Sequence, residues 1–257
     1  MAESGQSRRR VQSIEVGFRV LRVLRMADGL LPLREIAQRA GMPPSKVHLY
    51  LVSFIRENMA YQDAETGFYG LGSFAIQLGL AAVRQTTVVS ATADLLPELR
   101  DQTDCAVYLS LWGDRGPCIV SRADGHQQGA FTLRLGSILP VHSTATGNVF
   151  LAHLPREETA ALLKSEREQR GPSNCLTDAE IEAMIVQVRE EGYAATIGRL
   201  NNNFAGIAVP ILRPDGAIVA ALTLLGSVDY VGQGKDAFLA LLLDAGREIG
   251  RRMAAPQ

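Results

Sequence analysis

The side chains best suited to nucleophilic or metal chemistry are few and scattered. His48, His126, His142 and His153 lie far apart, and Cys105, Cys118 and Cys175 are odd in number and lack metal-ligand spacing. The chain has no Gly-x-Ser-x-Gly elbow, P-loop or dinucleotide fingerprint. His142 stands beside Ser143, but sequence neighbours seldom point at one another productively, so His142 is read as loop support through a backbone hydrogen bond. Neither catalysis nor a metal nor a cofactor is expected. Two other stretches could do chemistry by recognition. In Ser143-Thr144-Ala145-Thr146-Gly147, at the end of "GSILPVHSTATGNVF", hydroxyls sit at the start of a helix. Free amide hydrogens there attract a carboxylate or another anion. The same residues also suit plain N-capping by Ser143 or Thr144 with no ligand.

The second stretch is "AGMPPSKVHLYLVSFIREN", residues 40–58. Val47, Leu51, Phe54 and Ile55 form one helical face, and the opposite face holds Ser45, Lys46, Leu49 and Ser53. Such a sparsely charged outer face is unusual against water. Ser45 and Lys46, with Pro44 before them, suit phosphate or base contacts at the helix start. Leu49 suits a thymine methyl, and His48 flanks the same surface. The alternative is a small tri-helical domain whose third helix packs on a neighbour through Leu49 and Val52.

The elements around these stretches have ordinary globular composition, 47% hydrophobic and 21% charged in 257 residues, enough for two domains with proper cores. No apolar run is long enough to cross a bilayer, the first ten residues lack the apolar core of a signal peptide, and scattered thiols fit a reducing cytoplasm. Residues 1–70 hold ten Lys and Arg against seven Asp and Glu, and the remainder holds sixteen against twenty, so the positive surplus is N-terminal. Ile14, Phe18, Leu21 and Leu24 predict a first helix; Leu33, Ile36, Ala37 and Ala40 predict a second, ended by Gly41. "MAYQD" and "GFYGL" read as a hairpin after the third helix. Three helices and a hairpin are the plan of a winged helix-turn-helix. "GSFAIQLGLAAVRQ" then predicts a helix with Phe74, Leu78 and Ala81 or Ala82 on one stripe. Further on, hairpins are expected at "CAVYLSLWG"/"PCIVSRADG" and at "FAGIAVPILRPDGAIVAALTLLG", with helices over 144–153, 178–191 and 233–253.

Four stretches resemble the IclR family of bacterial transcriptional regulators. They are "SIEVGFRVLRVL" with "LPLREIAQRAGMPPSKVHLYL"; "DAETGFYGLGSFAIQLG"; "LRLGSILPVHSTATGNVFLAHL"; and "EGYAAT" with "GIAVPILRPDGAIVAALTLLG". The resemblance spans nearly the whole chain. It implies an α+β protein in which an N-terminal winged helix-turn-helix is joined by a linker helix to a GAF-like α/β effector-binding domain. The corresponding boundaries are 1–70, with 1–10 as a flexible basic arm; 71–88 for the linker helix; and 89–257 for effector binding and oligomerisation. It also implies a homodimer or homotetramer acting on a palindromic double-stranded operator, most often as a repressor, in the cytoplasm.

Where the family has a Thr and an Arg, this chain has Lys46 and Leu49, and its wing has Phe68, Tyr69 and Gly70 instead of basic residues. Arg8, Arg9 and Arg10 could compensate by reaching a minor groove or the phosphate backbone. By the same resemblance Ala145 and Thr146 present amides to a carboxylate effector, with Thr144 and Gly147 beside them. Positions that hold an acid, a cysteine and two serines in relatives fall on Thr196, Gly206, Thr223 and Leu225. Such a wall has lost polar groups. With Trp112, Phe131 and Phe204 as aromatic surface, it suits a larger, aromatic or hydrophobic carboxylate better than a small keto acid. The competing readings are a DNA-binding or dimerisation module without effector and, last, a small-molecule enzyme.

Overall fold

The computed structural model describes residues 11–128, 133–171, 175–199 and 201–254; Arg8, Arg9, Arg10 and Phe131 lie outside them. The chain divides into two compact units that part between Gln85 and Thr86. The first contains α1 (Gln12–Arg25), α2 (Leu33–Ala40), α3 (Pro44–Arg56), β1 (Ala60–Gln62), β2 (Tyr69–Leu71) and α4 (Ser73–Arg84). Gly41 closes α2 in the left-handed region, and Pro43 and Pro44 open α3, where a missing amide hydrogen costs nothing. β1 and β2 pair antiparallel with Ala60 opposite Leu71, and Leu31 bridges to Tyr69, giving a small wing beside the three helices.

The core of this unit corrects the expected face of α1. Ile14 and Phe18 are exposed and Leu21 is half-buried, whereas Val16 is buried and Val20, Val23 and Leu24 pack in one core with Ile36, Val47 and Leu51. The helix carries apolar residues on two sides, and Gly17 decides between them. A Cβ there would lie 3.1 Å from Phe54 Cζ and 3.3 Å from Tyr50, so the rings of α3 come in against the bare backbone of α1. α4 buries no residue within its unit. Phe74, Ile76, Leu78 and Leu80 are all exposed, a wider apolar surface than the expected stripe.

The second unit contains α5 (Thr87–Ala91), α6 (Leu95–Thr103), β3 (Ala106–Gly113), β4 (Gly116–Ala123), α7 (Ala145–His153), α8 (Arg156–Arg170), α9 (Asp178–Glu191), β5 (Ala194–Ile197), β6 (Phe204–Leu212), β7 (Ile218–Ser227) and α10 (Val228–Ala254). The strands form one antiparallel sheet in the order β4-β3-β7-β6-β5. Alternation sends Val107, Leu109, Ile207, Val209, Leu222 and Leu224 to one face, where they pack with Phe238, Leu242 and Ile249 of α10. On the other face Ala208 and Ala221 meet Ala145, Val149 and Phe150 of α7 and Val188 of α9.

Two helix expectations need correction. α10 begins at Val228 rather than Gln233, because Gly232 and Gly234 inside it read as breakers. α8 was not foreseen, since "REETAALLKSEREQR" is dominated by charge and shows little apolar periodicity. Among the described residues no helix is long and apolar enough to cross a membrane.

Candidate functional site

Two places gather the residues singled out above. The first is α3. Val47 and Leu51 are fully buried, which turns Pro44, Ser45, Lys46, His48, Leu49 and Ser53 outward. Leu49 is 68% exposed and Val52 42% exposed, and neither belongs to the core of its unit. The Ser53 hydroxyl donates to the Leu49 carbonyl at 3.1 Å, so it is engaged with its own helix. Beside α3 the wing turn is fixed by Asp63, whose Oδ1 accepts from the Thr66 amide at 2.8 Å and from the Thr66 hydroxyl at 2.7 Å. These bonds hold the Asp63 carboxyl below its usual range. The turn carries no cation.

The second place is a cavity between the sheet and the start of α7, lined by Tyr108, Leu133, Leu139, Thr144, Ala145, Thr146, Thr196, Arg199, Phe204, Gly206, Thr223 and Leu225. It is tight, with about 30 Å³ of room for a water-sized molecule, so a larger guest must part the lining side chains to enter. Strand register builds the floor. Thr223 of β7 faces Tyr108 of β3, and Gly206 of β6 lies between Leu225 and Thr196, so residues far apart in sequence become lateral neighbours. At Gly206 a Cβ would meet only ordinary contacts, 3.7 Å from Leu225 Cδ1 and 3.8 Å from Thr196 Oγ1.

The start of α7 forms the roof. Thr144 caps it, accepting from the Gly147 amide at 2.9 Å while its hydroxyl donates to the Pro140 carbonyl at 2.6 Å. The first two helical amides, those of Ala145 and Thr146, are left without a partner inside the helix, at residues that line the cavity. Gly147 is needed for the close approach of the preceding loop, since a Cβ would sit 2.3 Å from the Val141 carbonyl oxygen. All residues from Val141 to Ala152 are buried.

Of the expected residues, Thr144, Ala145, Thr146, Thr196, Phe204, Gly206, Thr223 and Leu225 come together here, and Gly147 supports them from behind. Trp112 does not join them. It packs on Phe150, ring centroids 5.4 Å apart, in the neighbouring core. Two polar lining residues were missed. Burial pushes the Tyr108 phenol up to about 12, and a backbone hydrogen bond at Leu133 opposes the shift. Arg199 adds a guanidinium at the exposed edge of the lining, so the wall is less apolar than the sequence suggests. Tyr108 was legible in principle, because it lies four residues before Trp112 on the same side of a strand. Arg199 lies in the turn before Asn201–Asn203, which offers no pattern to align.

Thr146 Oγ1 and Thr223 Oγ1 lie 2.8 Å apart, both buried, and tie the roof to the floor. Thr223→Val should cost about 1–3 kcal/mol of stability in this unit, because the Thr146 hydroxyl loses its buried partner. In the double variant Thr146→Val/Thr223→Val most of that loss should be recovered. Chemical denaturation of the four chains measures both, and additive losses would mean the hydrogen bond is not what couples them.

Comparison with known proteins covers both units. Residues 13–64 match the model of the IclR helix-turn-helix domain, and residues 80–251 match that of the bacterial transcriptional regulator IclR C-terminal domain. The HTH-type transcriptional regulator BhcR of Paracoccus denitrificans is 26% identical over 246 residues, 95% of this chain and 88% of that protein. The crystal structure of Pseudomonas aeruginosa HmgR is 32% identical with a TM-score of 0.59, covering 95% of this chain and 98% of that one. An IclR homolog from Microbacterium hydrocarbonoxydans, solved in complex with 4-hydroxybenzoate, is 22% identical with a TM-score of 0.77, covering 95% and 99%.

Proposed function

Because the chain belongs to the IclR family of bacterial transcriptional regulators, it is a DNA-binding regulator with an effector-binding C-terminal domain, and we propose that an aromatic carboxylate sets its operator affinity. The observation that carries this reading is the cavity under α7. Two amides at a helix start offer hydrogen bonds and partial positive charge to a carboxylate. Leu133, Leu139, Phe204 and Leu225 offer apolar wall to a ring, and Tyr108 and Arg199 offer partners to its polar substituents. The 4-hydroxybenzoate complex of the Microbacterium homolog supports the same ligand class.

On the DNA side, α3 is the recognition helix. Pro44, Ser45 and Lys46 approach phosphate and base edges at its start, with His48, Leu49 and Ser53 along the groove, and the Arg8-Arg9-Arg10 arm supplies the cations that the wing lacks. The chain acts as a homo-oligomer on a palindromic site. The exposed apolar residues Ile14 and Phe18 of α1 and Phe74, Ile76, Leu78 and Leu80 of α4 support pairing of two subunits through residues 1–88, with 89–257 sensing the effector. The protein works in the cytoplasm as a repressor and turns nothing over. Effector and DNA then shift each other's affinity reciprocally.

Calorimetric titration of the full chain with benzoate, 4-hydroxybenzoate, pyruvate and glyoxylate, alongside retardation of its own promoter DNA, tests this. Benzoate-type acids should bind at least about tenfold more tightly than the keto acids and change the retardation. Tighter binding of pyruvate or glyoxylate would reject the aromatic class. Turnover of any of them would restore the enzyme reading.

A further inference from the structure

Behind the cavity, one side of the loop that leads into α7 is held by a carboxylate from another helix. Glu166 of α8 accepts from the Val141 amide through Oε1 at 2.7 Å, and its Oε2 lies 3.4 Å from the His142 amide and 2.5 Å from His142 Nδ1. The His142 side chain is 3% exposed, and its Nε2 has no partner among the described residues, so the ring's polar bonding is spent on Glu166. From the other side Asn148, with its amide nitrogen turned toward the loop, faces the carbonyls of Val141 and His142 at 3.2 Å and of Thr144 at 3.3 Å. The donors of residues 141–142 thus go to Glu166 and the acceptors go to Asn148. Ala145 and Thr146, whose amides open α7, follow three and four residues after His142.

We infer that Glu166 is a positioning residue for the carboxylate clasp: it touches no ligand but fixes the loop that aims the Ala145 and Thr146 amides into the cavity. This rests on the reading of that cavity as the effector site. Glu166 stands on α8, which supplies no residue to the cavity lining. Its hold on the loop is therefore the means by which α8 bears on the site. A charged acceptor shared by several donors is a strong and geometrically exacting anchor. Glutamine keeps an acceptor for the Val141 amide, but its NH2 would face the His142 amide and force Nδ1 to accept, which moves the ring proton to the buried, unpartnered Nε2.

Charge and geometry predict opposite signs for Glu166→Gln, and that makes the test decisive. Removing a negative charge near an anion site would by itself tighten carboxylate binding. Loss of aim weakens it, while sparing a neutral ligand of the same shape. The experiment titrates wild type and Glu166→Gln with 4-hydroxybenzoate and 4-hydroxybenzamide, and follows amide hydrogen exchange across the unliganded chains. The inference expects the preference for the acid over the amide to fall on the order of tenfold, the loss of one hydrogen bond to a charged group. It also expects faster exchange confined to residues 141–147, with the sheet unchanged. Equal or tighter acid binding by the variant, or exchange unchanged or raised uniformly over the unit, would overturn it. If wild type binds neither probe, the aromatic reading fails and the exchange pattern alone decides: faster exchange limited to 141–147 supports the positioning role, and any other pattern removes it.

Discussion

Leu49→Glu should abolish retention of operator DNA and leave the thermal stability of the chain almost unchanged. Leu49 is 68% exposed and contributes nothing to the core built on Val47 and Leu51, so the folding cost should stay within about 0.5 kcal/mol. On the DNA side the same change removes an apolar contact and sets a carboxylate among phosphates. A well-made base contact is worth about 1–3 kcal/mol of discrimination, and like-charge repulsion adds to its loss. Together these should weaken operator binding by about a hundredfold or more. Val186→Glu on α9, likewise at an exposed apolar residue, is the control and should bind as wild type. Leu49→Ala separates base reading from bulk affinity. It should lower binding to the operator while leaving binding to unrelated duplex nearly intact, because phosphate contacts carry the sequence-independent part. Unimpaired retention by Leu49→Glu would remove α3 from the DNA interface.

The second large effect belongs to the cavity floor. Gly206→Val should weaken effector binding sharply and leave operator binding intact but poorly responsive. The first added carbon has room, because a Cβ at Gly206 meets its neighbours only at ordinary contact distance. The strand is paired on both sides, so a β-branched residue also suits its backbone. The remaining methyls then occupy the space between Thr196 and Leu225 where a ring would lie. A loss of about a hundredfold in affinity is expected by calorimetry, with circular dichroism and melting close to wild type. Gly206→Ala should be intermediate. If Gly206→Val still binds benzoate-type acids at wild-type affinity, the ligand sits elsewhere.

Much of this was legible from the residues, for identifiable reasons. Three helical segments, the third led by proline, and a short hairpin specify a winged helix locally, and "RPDG" between two apolar runs specifies a strand pair. The helix start at 143–147 was visible because N-capping has a composition of its own. What escaped depended on tertiary choice. α1 offers two apolar faces, and only the approach of Tyr50 and Phe54 to Gly17 selects the inner one. Tyr108 joins the cavity because β3 and β7 pair in one register, and a shift by one residue would have sent it to the opposite face. Trp112 shares that strand face but lies beyond the ligand space, against Phe150. Glu166 carried no signal at all, since one acid in a helix full of them is unremarkable until a loop folds onto it.

The uninterrupted burial from Val141 to Ala152 has a consequence in time as well as in affinity. A guest seated against those amides must shed its hydration shell, so its arrival should carry a negative heat-capacity change. Entry and departure both require packed side chains to part, which ties its residence to the opening of the wall and not to diffusion. Slow release of a bound benzoate-type acid is the expected result, and stopped-flow displacement measures it.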